Sequence, residues 1–218
     1  MTSWRVAYRL TLLDWRRQIF AAYAAVRAAT DPVVAHELWR ATRDELFATH
    51  PDSPLLPADR PAFTGLAVAP YDPRLRFEAQ VETDIEPEHF SVETGTDGAV
   101  RFERLGVALL PGAGSLDVWW LSAYGGGVFV PVKDASAGRY SYGGGRYLLD
   151  TIKGADLGGD VRDGVLVLDL NFAYNPSCAY DPAWACPLAP PGNVLPVEVL
   201  AGEASFTPSS AVAAAGDS

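Results

Sequence analysis

The spacing of apolar residues changes along this chain from a helical period to a strand period, and this change most constrains the fold. Before Pro51, apolar side chains recur every three or four residues, whereas from Phe77 onward they alternate with polar ones. Helices followed by a run of short strands do not fit the alternating order of a parallel α/β sheet. The sequence therefore predicts an α+β fold, mainly β: an antiparallel β-barrel or sandwich with two N-terminal helices packed on it.

The first helix is predicted over residues 11–30, where the apolar stripe consists of Trp15, Ile19, Ala22 and Val26. Asp31 offers an N-cap and Pro32 suits a first helical position, so a second helix is expected to begin there and to stop before Pro51. Large aromatic side chains bury much apolar area. Trp15 and Trp39 are accordingly expected to anchor the two helices against the body.

The polar face of the second helix is predicted to point into solvent. This face contains Arg40, Arg43 and Asp44, opposite the apolar face with Leu38, Trp39, Thr42 and Leu46. Arginines at such positions are typical of the solvated side of an amphipathic helix. Arg43 is therefore expected to be exposed.

Six strand candidates follow, each rich in valine, leucine or aromatic residues and bounded by glycine, proline or polar turns. They cover residues 77–83, 99–110, 116–124, 128–132, 165–170 and 194–200. The segment TGTDG, residues 94–98, precedes the second candidate and indicates a hairpin with an Asp-Gly turn. No long helical pattern separates these candidates, which favours antiparallel pairing.

The chain of 218 residues is long enough to bury a core of its own. We expect a single domain over residues 1–206, with a helical lead-in at 11–50 and a β-rich body at 62–206. Residues 207–218 have no aromatic or periodic apolar side chains and are expected to form a disordered tail.

The charge of the chain narrows the range of partners. A net charge of −10 and a pI near 4.7 disfavour binding to nucleic acid and to anionic lipid. Charged residues interrupt every apolar run within residues 1–18 before it reaches the length of a signal-peptide core, and the apolar stretch between Arg17 and Arg27 is far shorter than a membrane span. We therefore expect an acidic, soluble, cytoplasmic protein without nucleic-acid or membrane partners; the oligomeric state and any cofactor are left open.

Long motifs lie in the C-terminal half: YSYGGGRYLLDT, then LDLNFAYNPSCAYDPAWACPLAPPGNVLP, then AGE. Together with the upstream WRATRDELFATHPDSPL and YDPRLRFEA, they resemble an uncharacterised bacterial and archaeal family known as domain of unknown function 1684. The resemblance covers most of the chain. It implies kinship without an established activity, so it assigns no catalytic residue.

The GGGR motif is a candidate anion site. Gly144 and Gly145 free the backbone for a close approach to a ligand, and Arg146 adds a planar donor suited to carboxylate or phosphate. The alternative is a tight turn whose arginine pairs with a structural aspartate. The motif has neither the Gly-Lys-Ser/Thr of a phosphate-binding loop nor the spacing of a dinucleotide fingerprint.

Short polar side chains follow the strand candidate at 165–170. Asp169 is a candidate base or orienting carboxylate, and Asn171, Asn175 and Tyr180 are candidates for fixing the polar atoms of a ligand. Asp169 and Tyr180 are the candidate catalytic residues. The alternative is that these side chains cap the irregular backbone around Asn-Pro and Asp-Pro turns.

Two cysteines, Cys178 and Cys186, have no histidine near them in sequence, so neither a zinc site nor any other metal site is predicted. They are interpreted as free thiols that fill space in a proline-stiffened loop, with a redox-labile pair as the second interpretation.

Two functions remain open. In the first, the protein binds, and in its catalytic version acts on, a small polar, anionic metabolite in a pocket near the GGGRY turn and the LDLNFAYNPSCAYD segment. In the second, it is a non-catalytic interaction or scaffold module in which these motifs are structural. The two differ in whether Arg146 and Asp169 share a solvent-open cavity or are closed into an internal pair.

Overall fold

The computed structural model describes residues 3–94, 98–122 and 124–208. Two helices come first, α1 (Ser3–Ala28) and α2 (Pro32–Thr49). Seven strands follow, connected by turns and short 3-10 segments. The strands are β1 (Arg76–Glu82), β2 (His89–Thr94), β3 (Gly98–Leu110), β4 (Gly114–Leu121), β5 (Gly127–Val132), β6 (Arg146–Asp150) and β7 (Val165–Asp169).

The second helix begins where its local sequence predicts. The Asp31 side chain accepts a hydrogen bond from the Val33 N–H at 2.8 Å, and Pro32 occupies the first turn. At the other end, the His50 N–H donates to the Leu46 carbonyl. The first helix is longer than predicted, because it extends back to Ser3. Among the described residues, no helix is both long enough and apolar enough to cross a bilayer.

The strands form one antiparallel sheet in the order β6-β5-β4-β3-β1-β7, and β2 pairs with β3 outside this path. The long strand β3 pairs with β2 through its first half and with β1 near its end, and its register with β4 shifts between Arg104 and Gly106. Such irregularities bend a strand. The sheet curls into a half-barrel, which confirms the α+β, mainly β fold class.

Two strand predictions need correction. Residues 194–200 do not form a strand: Val194 makes a single bridge with Lys133, and the chain bends at Pro196 and Val197. The strand β6 was missed, because all five of its residues are buried and it therefore has no alternating pattern. The TGTDG hairpin exists, but its first arm is β2; residues 95–97 of the turn lie outside the described part of the chain.

The main core joins both helices to the sheet. Trp39 has no exposed surface, and its Nε1–H donates to the Tyr23 hydroxyl at 3.1 Å. Trp15 is partly buried against Phe47. Both predicted anchors therefore pack as expected.

The prediction that Arg43 is solvated is wrong, since only 6% of it is exposed. Conversely, Leu38, predicted on the apolar face of α2, is 41% exposed. The buried face of the helix is thus rotated toward Arg43. Of the predicted disordered tail, residues 209–218 lie outside the described part of the chain.

Candidate functional site

The glycines before Arg146 make room for the protein's own chain. Gly145 has φ +89°, which favours glycine, and a Cβ there would approach the Val132 carbonyl oxygen to 3.0 Å. A Cβ on Gly144 would lie 2.6 Å from the ring of Tyr142. The close approach expected for a ligand is therefore made by neighbouring protein atoms.

Arg146 has no exposed surface and lies in an internal ion pair. Its Nη2 donates to Asp134 Oδ2 and to the Val199 carbonyl, both at 3.0 Å. Its Nη1 donates to the carbonyls of Ala201 at 2.5 Å and Glu203 at 3.1 Å. The guanidinium thus fastens residues 199–203 to the start of β6. This is the structural alternative of the sequence analysis, with Asp134, not Asp169, as the partner.

Asp134 follows β5 and is surrounded by donors. Its Oδ1 accepts from the N–H groups of Ser136 and Val199, at 2.8 and 3.1 Å, and its Oδ2 accepts from the Ser141 hydroxyl at 2.8 Å as well as from Arg146. Burial alone would raise the pKa of this carboxyl, but the hydrogen bonds from Ser136 and the charge of Arg146 outweigh it and lower the pKa. Asp134 is therefore held as a carboxylate.

A second buried polar cluster is centred on Glu203, in the AGE motif. Its Oε2 accepts from Arg43 Nη2 at 2.7 Å and from the Asn175 N–H at 3.2 Å. Its Oε1 accepts from Asn175 Nδ2 at 3.1 Å and from the Tyr180 hydroxyl. Burial raises the pKa of Glu203, while the charge of Arg43 opposes the rise. Asn175 and Tyr180 therefore donate their hydrogen bonds to an internal carboxylate in this structure.

Arg43 completes this cluster from α2. Its guanidinium lies 5.0–5.1 Å from the ring centroids of Trp39, Phe47 and Tyr174. Such aromatic neighbours stabilise a cation that has lost its water. The two clusters meet at Glu203, whose carbonyl binds Arg146 and whose carboxylate binds Arg43.

Asp169 and Asn171 form a separate group at the end of β7. The Asn171 Oδ1 accepts from the Asp72 N–H, and its Nδ2 donates to the Asp72 carbonyl, both at 2.8 Å. The same Nδ2 also donates to Asp169 Oδ1 at 2.7 Å. Asp169 Oδ2 accepts from the Tyr71 hydroxyl at 3.0 Å. Burial raises the pKa of Asp169, and the hydrogen bonds from Asn171 and Tyr71 counteract the rise. Arg146 and Asp169 thus do not form a pair.

Asp169 lines a cleft of about 290 Å³ between the helix pair and the sheet edge, called the helix–sheet cleft below. Two arginines, Arg27 and Arg76, also line it. The remaining lining is mostly apolar and comprises Val26, Ala29, Thr30, Pro32, Ala35, Leu157, Val167 and Phe172. Of the sequence-predicted site residues, only Asp169 lies on this cleft.

A second cleft of about 240 Å³ lies between residues 62–67 and 203–207. Glu203 lines it, but only 1% of this residue is exposed and both of its carboxylate oxygens already accept hydrogen bonds. This cleft therefore presents no free charge of Glu203 to a ligand.

The sequence analysis did not identify Arg43, Asp134 or Arg76 as important residues, although the sequence pattern around Arg43 could have shown that it is buried. Arg43 lies four residues after Trp39 and three before Leu46, so helical spacing alone places it on the buried stripe. Asp134 and Arg76 had no comparable signal, because their surroundings come from segments distant in sequence. Within the described ranges, no three histidine, cysteine or acidic side chains are grouped in a way that would hold a metal ion.

Comparison with known proteins agrees with the resemblance of the motifs. A solved NMR structure, the uncharacterized protein from gene locus rrnAC0354 of Haloarcula marismortui, is 32% identical, covers 76% of this chain and 89% of its own, and superposes with a TM-score of 0.52. No curated protein matches the chain. The model of the family described as protein of unknown function (DUF1684) matches residues 61–204. The chain therefore belongs to the DUF1684 family.

Proposed function

We propose that this protein binds a small metabolite with a carboxylate and an apolar part, and that the helix–sheet cleft is its site. The observation that carries the proposal is the lining of this cleft, where arginines and the Asp169 carboxyl flank an otherwise mostly apolar surface. Small-molecule sites typically combine apolar walls with a few placed polar groups. In this proposal the ligand carboxylate binds Arg76, because Arg146, the cation expected from the sequence, is buried.

Arg76 has donors to offer a ligand. It begins β1, its side chain is 35% exposed, and its Nη1 donates to Glu78 Oε1 at 2.8 Å. Among the described residues, its Nε and Nη2 have no hydrogen-bond acceptor. A guanidinium with free donors suits bidentate binding of a carboxylate. Arg27 also lines the cleft, but its Nη1 contacts both the carbonyl and the carboxylate of Asp156, whereas Arg76 Nη1 contacts only Glu78, so Arg76 is taken as the primary anchor.

The size and walls of the cleft define the rest of the ligand. Its volume of about 290 Å³ lies at the small end for ligand pockets, so it suits a short-chain or single-ring compound. Val26, Val167 and Phe172 are among the apolar residues that line the cleft and can contact the apolar part of the ligand. Asp169 is only 2% exposed, and both of its carboxylate oxygens accept hydrogen bonds from Asn171 and Tyr71, so it forms part of the cleft wall and is not the group that binds the ligand.

The second function, an interaction or scaffold module, is favoured by a different observation. Arg146, Asn171, Asn175 and Tyr180 all direct their hydrogen bonds to groups inside the protein. In this alternative the family motifs are structural and the chain has no metabolite site.

The two functions are separated by binding measurements with simple carboxylates. Hexanoate and benzoate are expected to raise the melting temperature and to bind in calorimetry, whereas acetate, which lacks an apolar part, should bind more weakly. Arg76→Ala should weaken hexanoate binding by about 1.5–3 kcal/mol, the range for a hydrogen bond to a charged group.

The matched control is Arg101→Ala. Arg101 pairs with Glu103 two residues along its strand, as Arg76 pairs with Glu78, but it does not line the cleft. This variant should bind as the wild type does. If none of the carboxylates binds, or if both variants bind equally well, the metabolite site is refuted and the interaction module is favoured.

A further inference from the structure

The first helix is positively charged, although the protein as a whole is acidic. Helix α1 contains five arginines and one acidic residue, whereas the whole chain has a net charge of −10. Arg9, Arg16 and Arg17 are exposed, and none of them forms an ion pair with a described residue. These three cations are therefore available to an acidic partner.

The exposed side of α1 also has large apolar side chains. Leu10, Leu13 and Phe20 are 59%, 42% and 47% exposed. Together with Arg17 they recur at intervals of three and four residues, so they follow one line along the helix, away from the buried Ile19. Exposed apolar groups beside unpaired charges are typical of an interaction surface. The outer face of α1 is defined by Arg9, Leu10, Leu13, Arg16, Arg17 and Phe20.

An acidic segment connects β1 to β2 and is called the acidic arch below. It comprises residues 82–88, ETDIEPE, with four acidic residues and no lysine or arginine. Arg104 of β3 fastens the arch through its backbone, because the Arg104 N–H donates to the Glu88 carbonyl at 2.8 Å and Nη2 donates to the Glu86 carbonyl at 2.6 Å. The exposed acidic side chains of the arch that form no ion pair with a described residue are Glu82, Asp84 and Glu86.

Apolar side chains are exposed beside the acidic arch. Leu105 is 41% exposed and follows Arg104, which fastens the arch. Leu109 is 64% exposed and lies two residues beyond Val107, the register partner of Glu82. Because register partners share a face of the sheet, Leu109 and Glu82 lie on the same face. The surface around the arch therefore combines acidic groups with apolar ones.

We propose that this protein self-associates, with the outer face of α1 of one copy docked on the acidic arch of a second copy. The two surfaces have opposite charge, and each adds exposed leucines that the contact would bury. A second copy is favoured over an anionic membrane, because the remainder of the chain is acidic and such a membrane would repel it. The surfaces differ from one another, so the copies pair reciprocally in a closed dimer or head to tail.

The contact lies outside the helix–sheet cleft, so it does not depend on the proposed metabolite site. Its attraction acts between exposed charges, which salt screens over about 10 Å at 0.1 M and about 3 Å at 1 M ionic strength. Self-association is therefore expected to be strongest at low ionic strength.

The test measures the mass of the full chain by sedimentation velocity and light scattering over a range of protein concentrations. At low ionic strength the mass should rise above the 23.3 kDa of one chain as the concentration increases, and 1 M NaCl should reverse the rise.

Two charge-reversed variants identify the surfaces. The helix variant is Arg16→Glu with Arg17→Glu, and the arch variant is Asp84→Arg with Glu86→Arg. Each variant alone should self-associate at least about tenfold more weakly than the wild type, because like charges meet in the contact. An equimolar mixture of the two should associate about as tightly as the wild type, since the acidic helix face of one then meets the basic arch of the other.

The matched control is Arg74→Glu with Arg139→Glu. It changes the net charge as much as the helix variant does, at side chains that are 86% and 70% exposed and lie on neither surface. This control should associate as the wild type does. If either charge-reversed variant does not fold by circular dichroism, the single replacements Arg17→Glu and Glu86→Arg take their place in the mixing experiment.

Three results would overturn the proposal. The first is a wild type that stays monomeric at low ionic strength, including one that instead sediments with phosphatidylglycerol vesicles and so has a lipid surface as its partner. The second is a control weakened as much as the helix variant, which would show an effect of total charge. The third is a mixture that associates no more tightly than the separate variants, which would show that the two surfaces do not meet.

Discussion

Replacing Arg146 tests whether the GGGR motif is part of the protein's internal framework. Arg146→Ala removes the only cation bonded to Asp134 among the described residues, and both partners are almost fully buried. Removing one partner of a buried ion pair typically costs about 3–5 kcal/mol, because the other charge stays in a medium of low dielectric. The carbonyls of Val199, Ala201 and Glu203 also lose their guanidinium donor.

For a chain of this size, about 1 kcal/mol corresponds to roughly 2–4 °C in melting temperature, so the expected loss is about 6–20 °C. The matched control is Arg139→Ala. Arg139 pairs with Glu198 at the surface, where its side chain is 70% exposed, so its removal should cost at most about 1 kcal/mol.

Urea denaturation and calorimetry of both variants measure the two losses. If Arg146→Ala is no less stable than Arg139→Ala, the internal role of Arg146 is refuted. If Arg146→Lys abolishes carboxylate binding while the melting temperature is unchanged, Arg146 is instead the anion anchor that the sequence first indicated.

Two further variants test the other polar groups. Arg43→Met should destabilise the fold by about 3–5 kcal/mol because it leaves Glu203 buried without its cation, and adding Glu203→Gln should restore part of this loss in urea denaturation. Asp169 has a raised pKa in the folded state, so ionisation favours the unfolded chain and wild-type stability should fall as pH rises from about 3.8 through that raised pKa. In Asp169→Asn, the urea midpoint should fall less than in the wild type as pH rises from 4 to 8. If the two proteins have the same dependence of urea midpoint on pH, the pKa of Asp169 is not raised by folding.

Local features of the fold could be predicted from sequence. The start of α2 depends on two adjacent residues, Asp31 and Pro32, and the alternating strands β1 and β3 carry their pattern within themselves. In contrast, β6 is buried on both faces, so it has no alternation that separates it from other apolar runs.

The candidate site was harder to predict, because it depends on which distant segments meet. The sequence analysis selected polar residues that do lie in buried polar clusters. Their partners, however, belong to the protein: Arg146 donates to Asp134 and to residues 199–203, and Tyr180 donates to Glu203. Each of these contacts turns a candidate ligand-binding group into an internal hydrogen-bonding partner. The position of Arg76 on the helix–sheet cleft follows only from the packing of both helices beside β1 and β7.

The most direct test of the central claim is an NMR titration of the uniformly nitrogen-15-labelled chain with hexanoate. The claim places the ligand on the helix–sheet cleft, so amide shifts should concentrate at Arg27, Arg76, Asp169 and their neighbours, with saturable concentration dependence. The amides of residues 143–146 should stay unchanged, since their surroundings are closed by protein atoms. Shifts centred on residues 143–146, or no saturable shifts at all, would contradict the proposed location of the site.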